Sequence, residues 1–359
     1  MIRPTLGGVL AALALVVLMA VSVPALADVR PPADAAVAVT PGQDIPQSLP
    51  SNLKSNPAAQ LWQGVGDGTV GRVSIPDPQA GRLIQTSGME WLEFRSEVIG
   101  FWGMVAVLGM VTALTAFFMI RGRIKIDSGR SGRLIQRFKR VEVVGHWLTA
   151  ISFLLLALTG LVMLYGRDLL LPWMGPAIFA GVAEAGKYAH NFGGFAFMAG
   201  LVMIFVMWVR ANVWDRYDFN WILKGGGLLS KGHPPADKFN FGQKTVFWMV
   251  TLVGVALSLS GLNLLMPFWF TSDIETMQLV QLIHAGLGVG LFALMLAHIY
   301  IGSVGMESAF DAMSTGQVDI NWAREHHSAW VERYVAEHGE PPVTQPPTKG
   351  PGASAQPAE

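Results

Sequence analysis

The sequence predicts an all-α integral membrane helical bundle, and three observations carry that prediction. Of 359 residues, 52% are hydrophobic and 14% charged, with a mean hydropathy of +0.42; a soluble domain usually carries about 25% charged residues. Five uncharged runs follow one another: Val98–Ile120, Val143–Gly166, Tyr188–Val209, Thr245–Ser272 and Thr276–Met306. Each is long enough for the ~20 apolar residues of a span. Lys and Arg are concentrated in alternate loops between them, the asymmetry that membrane insertion selects. The formal net charge is zero, so no nucleic-acid partner is expected. The absence of cysteine excludes disulfides, Cys-ligated iron–sulfur clusters and CxxCH-attached haem within this chain.

In chain order, residues 1–27 read MIRPTLGGVLAALALVVLMAVSVPALA. Arg3 is a short positive n-region, Val9–Val21 an apolar stretch and Ala25-Leu26-Ala27 a small-residue cleavage site, which together predict a secretory signal peptide. Residues 28–97 are rich in Pro, Asp, Gln, Asn and Gly, with Trp62, Trp91 and Phe94 as scattered anchors. They are expected to be a partly disordered periplasmic extension. Residues 98–120 form an additional transmembrane helix. The loop at 121–142 is basic, with eight Lys or Arg and one acid in residues 121–140. A four-helix core covers 143–306 and includes a second basic loop at 210–244. Residues 307–359 form a tail whose Pro-rich end, GEPPVTQPPTKGPGASAQPAE, is expected to be disordered. Both basic loops are assigned to the cytoplasm, and the loops expected at 166–189 and 267–277, poor in Lys and Arg, to the outside, which places the mature N-terminus in the periplasm and the tail in the cytoplasm. The signal peptide points the same way. No internal repeat is evident.

Four of the eight histidines, His146, His190, His284 and His298, lie in or at the edge of spans. His233, His326, His327 and His338 lie in loop or tail. An ionisable side chain within a span is costly and usually functional. His284 and His298 share the stretch LIHAGLGVGLFALMLAHIY. Fourteen residues of α-helix rise about 21 Å and fall about 40° short of four full turns, so both imidazoles face one side near opposite membrane surfaces. The topology then pairs His146 with His298 at cytoplasmic depth and His190 with His284 at the outer depth. Two such pairs on three helices suit two bis-histidine b-type haems, since neutral imidazole is a common iron ligand. Gly145, Gly193, Gly194, Gly286 and Gly288 stand beside the histidines and would admit a flat macrocycle, or else serve helix contacts. Zinc fits poorly, because neither pair offers a third or fourth ligand.

Five segments, RVEVVGHWLTAISFLLLALTG, YAHNFGG, DKFNFGQKTVFW, LIHAGLGVGLFALMLAHIYIG and INWAREHHSAW, occur in that order. They resemble the gamma (cytochrome b) subunit of respiratory formate dehydrogenase over roughly residues 130–335. The resemblance implies a four-span di-haem cytochrome b core, with His146 and His298 holding the cytoplasmic haem b and His190 and His284 the periplasmic one. It also implies a quinone site lined by Asn240 and Gln243, whose other use is helix capping. The implied partners are a formate dehydrogenase catalytic alpha subunit and an iron–sulfur beta subunit, besides membrane lipid and quinone. The signal peptide, outer arm and 98–120 span depart from shorter members. The basic residues also stand early, at Arg137, Lys139 and Arg140.

The expected function is electron transfer in the bacterial inner membrane. Electrons from a periplasmic iron–sulfur partner cross two b haems to a quinone reduced near the cytoplasmic face. No catalytic residue is assigned, and the chain alone is not expected to oxidise formate. The alternatives are the cytochrome b subunit of a hydrogenase or thiosulfate reductase and, from another class, a haem-free membrane anchor or transporter.

Overall fold

A computed structural model of the chain describes residues 87–227, 232–270, 273–348 and 350. The expected signal peptide, most of the outer extension and the last residues of the Pro-rich end lie outside the described residues. The helices are α1 (Gly88–Arg121), α2 (Arg140–Leu169), α3 (Leu171–Trp208), α4 (Arg216–Leu223), α5 (Phe241–Leu265), α6 (Pro267–Phe270), α7 (Ile274–Tyr300), α8 (Asp311–Ser314) and α9 (Ile320–His338). Two short strands, β1 (Leu134–Gln136) and β2 (Gln317–Asp319), pair antiparallel. Among the described residues, α1, α2, α3, α5 and α7 are the five helices long and apolar enough to cross a membrane. In hydrocarbon a backbone N–H or C=O has no water partner, so a spanning segment must satisfy its own groups, and the helix does so.

The residues form two compact units, one ending at Phe101 and including Leu262–Ile283, the other comprising Trp102–Gly261 and the chain from His284 onward. In the first, Trp91 Nε1 donates to Gln281 Oε1 at 2.9 Å, tying the start of α1 to the start of α7. In the second, small residues let helices approach closely. A Cβ on Gly200 would lie 2.5 Å from Thr149 Oγ1, so α2 and α3 nearly touch there. Gly254 meets Leu201 and Phe197, joining α5 to α3, and Gly103 meets Tyr165 and Val289, joining α1 to α2 and α7. This is how helices associate where lipid is as apolar as the side chains. Leu158, Val202, Val206, Leu252 and Leu259 remain exposed and present an apolar surface to the bilayer.

The outer loop expected at 166–189 is helical instead. Helix α2 continues to Leu169 and α3 begins at Leu171, with a bend at Gly175 (φ 74) before Pro176. The uncharged-run criterion stopped at Arg167 and Lys187, but a helix does not end where its apolar residues end. The Ala-rich segment AIFAGVAEAGKYAH favours helix and extends past the hydrocarbon. Likewise α1 starts at Gly88, well before Val98, and passes through a π-helical segment at Phe94–Gly100.

The end of the second unit that holds the basic loops, called the basic end below, carries a folded cap. Ile126, Ile135, Phe138, Val318, Ile320, Trp322 and Val331 form its core with Trp208 and Phe239. The buried Asp319 carboxylate accepts from Gly132 N at 2.9 Å and caps α9 through Asn321 N at 2.9 Å. Part of the Pro-rich end is ordered against this cap. Thr344 N and Thr348 N donate to Gly132 O and Arg130 O at 2.8 and 2.9 Å, and Arg133 donates to Pro341 O at 2.8 Å. Backbone hydrogen bonds hold this segment, so its poverty in apolar residues did not reveal it.

Candidate functional site

The second unit brings the four membrane histidines together two by two. The His146 and His298 rings have centroids 6.3 Å apart, and those of His190 and His284 are 6.1 Å apart. Helices α2 and α3 supply one histidine each and α7 supplies two. A metal–imidazole bond is about 2.0–2.1 Å and the ring centre lies about 1.1 Å behind the nitrogen, so two imidazoles facing one ion have centroids about 6.3 Å apart. Both spacings therefore fit a metal-centred group held from two sides.

Neighbouring helices orient the His190/His284 pair. Thr159 Oγ1 lies 2.9 Å from His190 Nδ1, and Ser260 Oγ lies 2.8 Å from His284 Nδ1. Each hydroxyl also donates back along its own helix, Thr159 to Leu155 O and Ser260 to Ala256 O, both at 2.7 Å. A hydroxyl has a single proton. With that proton on the carbonyl, the hydroxyl oxygen accepts from the imidazole Nδ1–H, and Nε2 is left without a proton, free to act as a ligand atom. His146 Nδ1, in contrast, is buried without a hydrogen-bond partner.

Two of the glycines beside the histidines take the second of their expected uses. A Cβ on Gly145 would meet Met207 and one on Gly193 would meet Leu155, so these two serve helix contacts. The glycines against imidazoles are Gly160, 3.5 Å from His190 Cε1, and Gly261, 3.2 Å from His284 Cε1. Each directly follows the hydroxyl residue that holds the same ring. A sequence signal was present: LALTGL at 156–161 and LSLSGL at 257–262 are a short quasi-repeat, although no internal repeat had been evident. It passes unnoticed because Leu, Ser and Gly are common in spans.

At the basic end, Asn240 and Gln243 form a reciprocal cap on α5. Gln243 N donates to Asn240 Oδ1 at 3.0 Å, and Asn240 N donates to Gln243 Oε1 at 3.1 Å. Their amide oxygens are thus committed, and their amide nitrogens are the groups left for a ligand. Arg137, 4% exposed, donates to Lys238 O at 2.7 Å and to Gln243 Oε1 at 3.4 Å. Its Nε and Nη1 are buried without partners, and its guanidinium lies over Phe138, Trp322 and Trp330. Burial lowers its pKa to about 9, so it remains a cation at neutral pH. His327 is fully buried and its Nδ1 lies 2.7 Å from Asp237 O. Burial, helped by the Arg137 cation, holds it well below the usual imidazole range. His326 is lowered chiefly by burial.

Lys238 binds the Glu142 carboxylate at 2.8 Å, and Trp208 Nε1 donates to the same group at 2.7 Å. Asp127, His233 and Glu325 also converge. Both Glu325 oxygens, however, accept the backbone N–H groups of Asp127 and Ser128, so that carboxylate closes a turn.

Comparison with known proteins places these residues in context. Residues 137–316 match the family described as prokaryotic cytochrome b561. The nitrate-inducible formate dehydrogenase cytochrome b556(Fdn) subunit of Escherichia coli (strain K12) is 30% identical over 204 residues, 55% of this chain and 90% of that protein. The formate dehydrogenase cytochrome b556(fdo) subunit of the same strain is 27% identical over 198 residues, 55% of this chain and 91% of that protein. The formate dehydrogenase cytochrome b556 subunit of Haemophilus influenzae is 25% identical over 216 residues, 59% of this chain and 87% of that protein. All four histidines fall inside the matched family region, whereas α1 precedes it.

Proposed function

The chain belongs to the prokaryotic cytochrome b561 family, and from that premise we propose that it is the membrane cytochrome b subunit of a formate dehydrogenase complex. It would carry two b haems, one between His190 and His284 and one between His146 and His298. The observation that carries this reading is the pair of imidazole spacings, 6.1 and 6.3 Å, on helices shared through α7. When bound, haem b supplies reversible one-electron transfer. The protein's part is to hold each ring plane between two helices and to keep the imidazole Nε2 atoms facing one another. Placing both α7 histidines on one face, about 21 Å apart along the axis, lets a single helix serve both membrane surfaces.

In this reading the basic end is cytoplasmic, and the catalytic and iron–sulfur subunits deliver electrons from the periplasm at the His190/His284 end. The quinone is reduced at the other end. There the side-chain amide nitrogens of Asn240 and Gln243 donate to a quinone carbonyl, with the Arg137 cation close behind Gln243. Charge separation across the membrane follows if the quinol's protons come from the cytoplasm. The similarity of the named relatives supports a formate dehydrogenase partner over a hydrogenase or thiosulfate reductase.

The test is the haem content of the purified full-length chain. A pyridine haemochrome value near two per chain, with reduced b-type bands, is the expected result. A chain without b-type bands would return it to the class of haem-free anchors.

A further inference from the structure

We propose that Thr159 and Ser260 are positioning residues that tune the His190/His284 centre. Each hydroxyl takes the Nδ1–H of its histidine and fixes the tautomer whose Nε2 is bare. Each thereby makes that imidazole a stronger donor to oxidised iron. The inference rests on the reading that these histidines hold a haem, and it adds the residues that set the electronic character of that haem.

Two hydrogen bonds of nearly equal length, 2.9 and 2.8 Å, reach the two rings from separate helices, α2 and α5. Serine and threonine in helices ordinarily return their proton to the preceding turn, and both residues do, to Leu155 O and Ala256 O. Their lone pairs are what remain, and each reaches an imidazole that also meets a backbone carbonyl of the same turn, Leu156 O for His190 and Leu257 O for His284; the hydroxyl is the contact that substitution can remove. The next residue in each case is glycine, with the imidazole Cε1 at 3.5 and 3.2 Å from where a Cβ would stand. The glycine lets the ring come close enough for the hydroxyl to reach Nδ1. The same two-residue device, Thr159-Gly160 and Ser260-Gly261, thus acts on both histidines of one pair.

Hydrogen bonding from the far nitrogen of a ligating imidazole raises ligand basicity, which favours the oxidised metal. The basic-end pair lacks this on His146, whose buried Nδ1 has no partner. The two hydroxyl contacts would therefore lower the potential of a haem held by His190 and His284 relative to one whose ligands lack them.

The experiment is a redox titration of the visible bands of the full-length chain purified from membranes, with haem content measured beside it. Thr159→Val and Ser260→Ala should each keep two haems and raise the potential of one, leaving the other in place. The expected shift is about tenfold in the one-electron equilibrium, about 59 mV. Thr159→Ser and Ser260→Thr should restore the wild-type value, because only the hydroxyl is common to them. If Thr159→Val loses the haem while Thr159→Ser retains it at the wild-type potential, the hydroxyl role is also supported. Two retained haems with neither potential moved, or a shift that the hydroxyl-bearing variants do not reverse, would overturn the proposal. A wild-type chain without haem would overturn the underlying haem reading instead.

Discussion

The two histidine pairs have nearly the same ring spacing, 6.1 and 6.3 Å, and quite different surroundings. The His190/His284 pair sits in apolar helices, and its hydrogen-bonding neighbours are two helix hydroxyls and the backbone carbonyls of Leu156 and Leu257. The His146/His298 pair lies near a folded cap that holds the buried cations Arg137 and Lys244 and the buried histidine His327. Spacing is set by the crossing of helix backbones, which glycine contacts such as Gly200 on Thr149 hold close. Environment is set separately, by whichever neighbours line each end. Equal spacing of the rings does not imply equal chemistry.

The largest effect that could break this comparison comes from the ligands themselves. His190→Ala and His284→Ala should each remove the same single haem, and His146→Ala and His298→Ala the other, as counted by haemochrome in preparations matched for protein. Loss of one haem by His190→Ala and of the other by His284→Ala would dissolve the pairs.

A smaller change should act on one end alone. Gly261→Val places methyl groups against His284, whose Cε1 is 3.2 Å from the glycine's Cβ position. The variant should lose most of the His190/His284 haem and keep the other. Gly288→Ala, whose added Cβ meets only Leu257 at 3.9 Å, should lose neither.

The basic end can be probed without disturbing the histidines. Asn240→Ser keeps an oxygen to cap α5 and removes the amide nitrogen proposed to meet the quinone. Haem content should be unchanged. Reoxidation of the reduced haems by quinone in stopped flow should slow about fivefold, from one hydrogen bond worth ~1 kcal/mol. An unchanged rate would leave Asn240 as a cap alone.

The effect most remote from the two histidine pairs concerns the cap. His326 and His327 are held neutral, with folded pKa values below the ordinary imidazole value. The unfolded chain binds protons below about pH 6.5 that the folded cap does not. Stability of the cap is therefore complete above that pH and falls as the pH drops, by at most about 1.4 kcal/mol per unit for each histidine. Hydrogen-exchange protection factors across residues 320–338, corrected for the intrinsic rate at each pH, should fall between pH 7 and pH 5.5, and His327→Gln should reduce that pH dependence. A flat profile would show that neither histidine is buried neutral.

Membrane class, the five spans and the pairing by depth were legible because they are one-dimensional properties. Hydropathy counts residues along the chain, and the rise and phase of an α-helix place His284 and His298 from their numbers alone. Thr159, Ser260, Gly160 and Gly261 were not legible as a site. Nothing in LALTGL says which way Thr159 points until α2 is set against α3.

What the sequence determined by itself, then, is which segments enter the membrane and which histidines share a depth. The tertiary structure alone decided which hydroxyls reach the imidazoles, that Asn240 and Gln243 cap each other, and that part of a Pro-rich tail is ordered. It also decided that α2 and α3 continue through the expected outer loop. The physical reason is that burial in lipid acts on each segment separately. Hydrogen bonds from side chains, by contrast, depend on the relative rotation of two helices, which is settled only where their small residues meet.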